Sequence, residues 1–222
     1  ITISDGATVD LDRVQYRFAS RMQANTRKAG GVSIVNCVFA DNAFGGLYVD
    51  SGPSTPRVLS NQFLRNGGNG NYAPLFVQSG SLDLAQLIGN SGTGNGFNGT
   101  VINGTVTKDG TWPNAPGWTI DIGANASGSF SSGSLTVPSG VTLTVEPGTV
   151  VRFGRDSSLQ VYGTLVADGT EQAPAVFTSW RDDSAGGDTN GDGDSSGVAG
   201  DWYGITISDG ATVDLDRVQY RF

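Results

Sequence analysis

Histidine is absent from these 222 residues, and cysteine and methionine occur once each. Without histidine, neither a Ser-His-Asp triad nor a histidine-based zinc site can be assembled. The single Cys37 excludes an intrachain disulfide framework and a thiolate metal cluster. Charged residues are scarce at 15%, no apolar run reaches the roughly 18 residues that span a bilayer, and no stretch keeps a 3.6-residue period. The charge that is present leans acidic, with a formal net charge of −8. An acidic surface repels nucleic acid and anionic membranes and favours cations. Neither nucleic-acid binding nor membrane insertion is therefore expected.

Against these absences stand 34 glycines and abundant Thr, Ser, Asn and Val, poor material for helices and good material for short strands with tight turns. One stretch occurs twice. Residues 1–18, ITISDGATVDLDRVQYRF, return letter for letter as residues 205–222, an offset of 204. The simplest reading is a tandem array, in which the chain is one 204-residue unit plus the start of the next; an overlap introduced by design would look the same.

A shorter period runs inside the unit. Ser33-Ile34, Arg57-Val58, Ser81-Leu82 and Thr105-Val106 follow one another at 24 residues, as do Phe39, Phe63 and Leu87, and Asn42, Asn66, Asn90 and Asn114. Leu11, Val14 and Tyr16 match Ile34, Cys37 and Phe39 at 23, and Ser134-Leu135-x-Val137 returns as Ser158-Leu159-x-Val161. The segments are short, β-branched and alternating (VTLTV, SLQVYG, ITISDG), with Gly, Asn, Asp or Pro between them. A period in the twenties predicts a solenoid of stacked turns. Leucines are too few for a leucine-rich repeat, so the expected fold is all-β: a parallel β-solenoid of about 24 residues per coil, continuous over 1–222, with about eight coils per unit. The Asn column is expected to form an inward ladder, each amide donating to the next. The Phe39, Phe63, Leu87 column is expected in the core beside Cys37. The stretch 18–32, with Arg21, Arg27 and Lys28, reads as a long turn with a solvated basic rim.

LTVPSGVTLTVEPGTVVRFGRDSSLQVYGTLVADGTEQAPAVFTSWRDD followed by GDWYGITI, together with NCVFADNAFGGLYV and its echo SNQFLRNGGNGNYAPLFV, resembles bacterial right-handed parallel β-helix proteins of the secreted and surface type. The resemblance covers most of 32–89 and 134–218. It implies right-handed coiling and an extracellular or cell-surface place. It does not single out an activity, because such folds include lyases, hydrolases, adhesins and passive stalks.

The sharpest local motif is the acidic insertion 181–201. Within it Asp188, Asn190 and Asp192 stand at positions 1, 3 and 5 of an EF-hand-like calcium loop, Gly193 at 6, and the Asp194 carbonyl at 7. Position 12 is Ala199 rather than Glu, so the closing ligand is sought in Asp201, Asp182 or Asp183. No flanking helices are expected; the segment resembles the helix-free calcium loops of secreted bacterial proteins. Calcium is thus the expected cofactor, and it would explain how so long a connection stays ordered.

Catalysis has less to build on. Asp182, Asp183, Asp168, Glu146 and Glu171 could supply the carboxylate pair of a glycoside hydrolase, and Arg181, Arg152 or Arg155 the base of a polysaccharide lyase, yet no spacing sets two of them on one strand face. Trp112, Trp118, Trp180, Trp202 and Tyr203 could stack on sugars if exposed. Trp112 and Trp118, flanking a Pro-rich turn, are the better candidates for exposure, and Trp202 is expected in the core or at a coil edge. Asn98, Asn103 and Asn125 head glycosylation sequons that chance explains in so Asn- and Thr-rich a chain. The reading is a non-enzymatic repeat unit of an extracellular filament, stalk or adhesin shaft, stabilised by calcium. Its expected partners are identical units in tandem or end-to-end stacks, and cell-surface polysaccharide. The alternative is a polysaccharide-binding or polysaccharide-cleaving β-helix.

Overall fold

A computed structural model describes residues 1–28, 30–68, 72–123, 133–191 and 193–222. It is all-β apart from one 3-10 turn, Leu84–Gln86, and every strand pairing among the described residues is parallel. The longest run of neighbours joins β1 (Thr2–Ile3), β4 (Met22–Asn25), β7 (Leu47–Asp50), β10 (Leu75–Leu82), β12 (Gly99–Val106), β14 (Thr119–Ile122), β17 (Val150–Phe153), β20 (Ala175–Ser179) and β23 (Val218–Tyr220). From the second half of β12 this sheet branches into β15 (Ser134–Val137), β18 (Ser158–Val161) and β21 (Gly204–Ile207). A second sheet stacks β2 (Val9–Asp12), β5 (Val32–Val35) and β8 (Arg57–Leu59). A third stacks β3 (Gln15–Arg17), β6 (Val38–Ala40), β9 (Gln62–Leu64) and β11 (Ser91–Thr93). The fourth stacks β13 (Gly110–Trp112), β16 (Thr142–Val145), β19 (Thr164–Asp168) and β22 (Thr212–Asp216). The 3-10 turn packs between β8 and β13 and so links the second sheet to the fourth.

Much of the expected register is present. Leu11 pairs with Ile34, Tyr16 with Phe39, Ser33 with Arg57, Phe39 with Phe63, and Ser134 with Ser158. Alternate side chains of each strand pack into one core that includes Ile34, Phe39, Val58, Phe63, Leu135 and Leu159. Chain bends recur at fixed places. Arg13, Asn36 and Ser60 follow β2, β5 and β8, and all have positive φ (54°, 54° and 56°); Phe18, Asp41 and Arg65 do the same after β3, β6 and β9 (55°, 58° and 53°). A residue in the left-handed region breaks the strand, and the amide after it needs a new acceptor.

Asparagine supplies that acceptor, but in two ladders rather than the single one expected. Asn66 Oδ1 accepts from the Asn42 backbone and side-chain nitrogens at 3.2 and 2.8 Å, and Asn95 Oδ1 accepts likewise from Asn66 at 2.8 and 2.9 Å. The other ladder runs Cys37, Asn61, Asn90, with Asn61 Oδ1 accepting from the Cys37 amide and Asn90 Oδ1 from Asn61. The 24-residue spacing fails here because the step from Asn66 to Asn95, like that from Asn61 to Asn90, is 29 residues. Asn90 therefore belongs to the other bend, and Asn114 is exposed in neither ladder.

The same lengthening moves Leu87 out of the aromatic column. Phe63 pairs with Gly92 instead. A Cβ on Gly92 would lie 2.7 Å from the Trp118 ring, which takes the vacant place over Phe63 at 5.7 Å between centroids. Tyr16, Phe39, Phe63 and Trp118 thus form one aromatic series. The stretch 18–32 is likewise not a projecting turn, since Met22–Asn25 is strand β4 in the longest sheet.

Candidate functional site

The outward face of the longest sheet carries the column Gln23, Tyr48, Phe76, Val101, Asp121, Arg152, Thr178, in register from β4 to β20. These residues alternate with the core series Ala24, Val49, Val77, Ile102, Ile122, Phe153, so they point away from the core. Yet Phe76, Val101, Asp121, Arg152 and Thr178 are buried. The acidic insertion covers them. Its Thr189 carbonyl accepts from the Asn98 amide at 2.7 Å, and Trp180 packs on a small outer core of Ala73, Phe76, Phe97 and Val101.

A side chain of the sheet organises this cover. The Arg152 guanidinium, fully buried, donates to the carbonyls of Asp182 (3.0 Å), Ala185 (2.5 Å) and Gly187 (2.6 Å) and to the Thr189 hydroxyl. Carbonyls that converge in this way are what a loop offers a cation, and here the cation is an arginine. Asp121, one strand below, is also fully buried; its Oδ2 accepts from the Thr119 hydroxyl at 2.6 Å. Burial pushes its pKa up from 3.8 to about 6, and the Arg152 charge and the Thr119 hydrogen bond offset only part of this. Asp121 Oδ1 and Arg152 Nε have no hydrogen-bond partner among the described residues.

The expected calcium ligands are distributed around this cover. Asp188 is exposed, and its carboxylate accepts from the Gly191 and Gly193 amides at 2.7 and 3.2 Å. Asn190 is buried and donates to the Trp180 carbonyl at 3.2 Å. Asp194 is exposed, and Asp192 lies outside the described residues, as does the Asn125 sequon. The three candidates for a closing ligand each accept hydrogen bonds. Asp182 Oδ2 accepts from Thr178 (2.7 Å) and Arg221 (3.2 Å), and its Oδ1 from Ser184. Burial alone would raise its pKa, but those hydrogen bonds together hold it below the ordinary value. Asp183 Oδ2 accepts from Ser195 at 2.6 Å, and Asp201 Oδ2 from Ser179 (2.8 Å) and Val198 (2.9 Å). Among the described residues, no three Asp, Glu or Cys side chains converge as a metal-ligand group.

The carboxylates considered for catalysis are not paired either. Glu146 accepts from the Asn114 amide at 3.2 Å, while Asp168 and Glu171 are exposed on separate segments. Trp112 and Trp118, expected at the surface, are 3% and 7% exposed. Trp118 fills the core above Phe63, and its Nε1 donates to Thr100 at 3.0 Å. Trp202 is in the core as expected, stacked on Phe153 at 4.0 Å.

What the sequence reading missed is an open groove of about 890 Å³ on the uncovered end of the same outward face. Arg21, Gln23, Asn25, Phe44, Tyr48 and Tyr72 line it. The Arg21 guanidinium lies 5.2 Å over the Tyr48 ring, and Arg27 pairs with the buried Asp50 at 2.5 Å. The signal was the alternation in MQAN and LYVD, which places Gln23 beside Tyr48 and Asn25 beside Asp50; reading 18–32 as a turn hid it. No family model, curated protein or solved structure matches this chain.

Proposed function

We propose that the chain is a repeat unit of an extracellular rod, a right-handed β-solenoid whose coils continue from one unit into the next. One observation carries this reading: the duplicated segment is bonded on one edge in its first copy and on the other edge in its second. Residues 1–18 pair only forward, β1 with β4, β2 with β5 and β3 with β6. Residues 205–222 pair only backward, β21 with β18, β22 with β19 and β23 with β20. Together the copies supply the two bonded edges of one internal coil.

The aromatic series supports the same continuity. Tyr220 packs on Trp202 at 4.8 Å, and its counterpart Tyr16 packs on Phe39 at 6.0 Å, so one tyrosine would join the rings of two units. The order β2, β5, β8, 3-10 turn, β13, β16, β19, β22 supports seven coil steps per unit rather than eight. That gives about 34 Å of rise. Chains of one, two and three units should then lengthen by about 34 Å per unit at constant width, as measured by small-angle scattering. Growth in width, or beads on flexible joints, would overturn the reading.

Calcium belongs to this proposal at Asp188, Asn190, Asp192 and Asp194, with the closing carboxylate drawn from Asp182, Asp183 or Asp201. Its contribution would be charge neutralisation in the cover. The cell-surface place follows the β-helix resemblance. A second reading, polysaccharide binding without cleavage, is supported by the groove. Aromatic faces beside amide and guanidinium groups suit a sugar ring and its hydroxyls, and Arg21 suits a carboxylate or sulfate on it. Calorimetry tests both additions. Heat on adding calcium, and on adding an acidic oligosaccharide that Tyr48→Ala no longer binds, is expected; a silent titration removes the corresponding ligand.

A further inference from the structure

The two copies of ITISDGATVDLDRVQYRF adopt the same backbone at their bends. Arg13 and Arg217 have φ of 54° and 49°, and Phe18 and Phe222 of 55° and 62°. Yet they use different groups. In the first copy the amides of Val9, Arg13 and Phe18 donate forward, to Gly31, Val35 and Ala40. In the second, Ser208, Thr212 and Arg221, the counterparts of Ser4, Thr8 and Arg17, donate backward, to Val161, Gly163 and Phe177.

The shared arginine turns to whichever neighbour is present: Arg17 donates to Asp41 through Nε and Nη2 at 3.3 and 2.8 Å, whereas Arg221 donates to Asp182 through Nη1 at 3.2 Å and to Gln219 through Nη2. The backbone groups of one copy can therefore bond both neighbours at once. Each copy leaves a different set of apolar residues bare: Ile1, Val14 and Phe18 are 62%, 38% and 77% exposed in the first, and Ile207, Leu215 and Tyr220 are 46%, 48% and 60% exposed in the second. The counterparts of the second set, Ile3, Leu11 and Tyr16, are partly buried and pack on the core, as do Ile205 and Val218, the counterparts of Ile1 and Val14.

From this we infer that residues 205–222 of one chain displace residues 1–18 of another from β4, β5 and β6, joining separate chains end to end by segment exchange. The occupant is fixed by identity: the incoming segment has the same residues as the outgoing one and can make the same bonds. Every docked interface lost is regained, and the released segment recovers backbone freedom. Simple stacking of one copy on the other is disfavoured. In register it would set the exposed Asp5, Asp10 and Asp12 over Asp209, Asp214 and Asp216, carboxylate on carboxylate. The inference needs only the duplicated segment and its two sets of partners, so it stands apart from the rod built of covalently linked units.

Substitution of one copy at a time in the full chain tests it. Leu11→Asp weakens the first copy and leaves the second intact, so this variant should form linear multimers by light scattering and electron microscopy. Leu215→Asp, and the double variant, should stay monomeric at the same concentration. Tyr16→Ala against Tyr220→Ala repeats the comparison with a milder change, and circular dichroism verifies strand content. Excess synthetic peptide ITISDGATVDLDRVQYRF should return the Leu11→Asp multimers to monomers. Equal behaviour of the first-copy and second-copy variants, or multimers that the peptide does not dissolve, would overturn segment exchange.

Discussion

At the scale of single residues, the bends are held by asparagine because a left-handed residue turns the strand and leaves the next amide without its ladder partner. Asn66 meets that need for two neighbours: its Oδ1 takes the Asn42 amide, and its Nδ2 donates to the Phe39 carbonyl at 2.9 Å. Asn66→Ala should strand both buried groups and cost on the order of 3 kcal/mol. Asn114→Ala, outside both ladders, should shift the denaturant midpoint hardly at all. Equal shifts for the two variants would contradict the two-ladder assignment. The aromatic column obeys the same logic of filled places: a Cβ on Gly92 would meet the Phe63 carbonyl, and the Trp118 ring at 2.7 Å.

At the scale of elements, the acidic insertion is a cover for the outward face of β12, β14, β17 and β20, pinned by a guanidinium from the sheet it covers. Asp121 beneath it gives the cover a pH signature. With its pKa raised from 3.8 to about 6, the folded state holds this proton more tightly than the unfolded chain. The contribution of Asp121 to stability therefore falls as pH rises from 3.8 to 6, by about 3 kcal/mol in total, and is level above that window. The chain has no histidine, so no side chain with an ordinary pKa near 6 competes at the upper end of this window. Asp121→Asn keeps the shape and should reduce the fall in melting temperature between pH 4 and 6. A variant that retains the slope would place its origin elsewhere.

At the scale of the whole molecule, strand chemistry, parallel stacking and much of the register were legible in the sequence. They rest on local alternation and on a spacing that holds wherever connections keep their length. The reading failed where a connection grew: Asn90 and Leu87 each left their expected columns between residues 66 and 95, and β4 hid inside an apparent turn. The string of acidic and amide residues at 188–194 was legible, whereas the hydrogen bonds of Asp182, Asp183 and Asp201 to Arg221, Ser195 and Ser179 were not, because those partners lie on other elements or across the loop. The groove was not read at all, because its walls come from four separate stretches.

The sequence alone determined the duplication, the strand and bend chemistry and the acidic character of residues 181–201. Each is a local pattern or a literal identity that needs no knowledge of what lies across the sheet. Only the tertiary structure decided what that acidic stretch is for in the fold. Arg152 reaches carbonyls 30 to 35 residues further along the chain. A buried guanidinium is tolerated only where several acceptors meet it at once, and that meeting is set by how the strands stack, not by the order of residues.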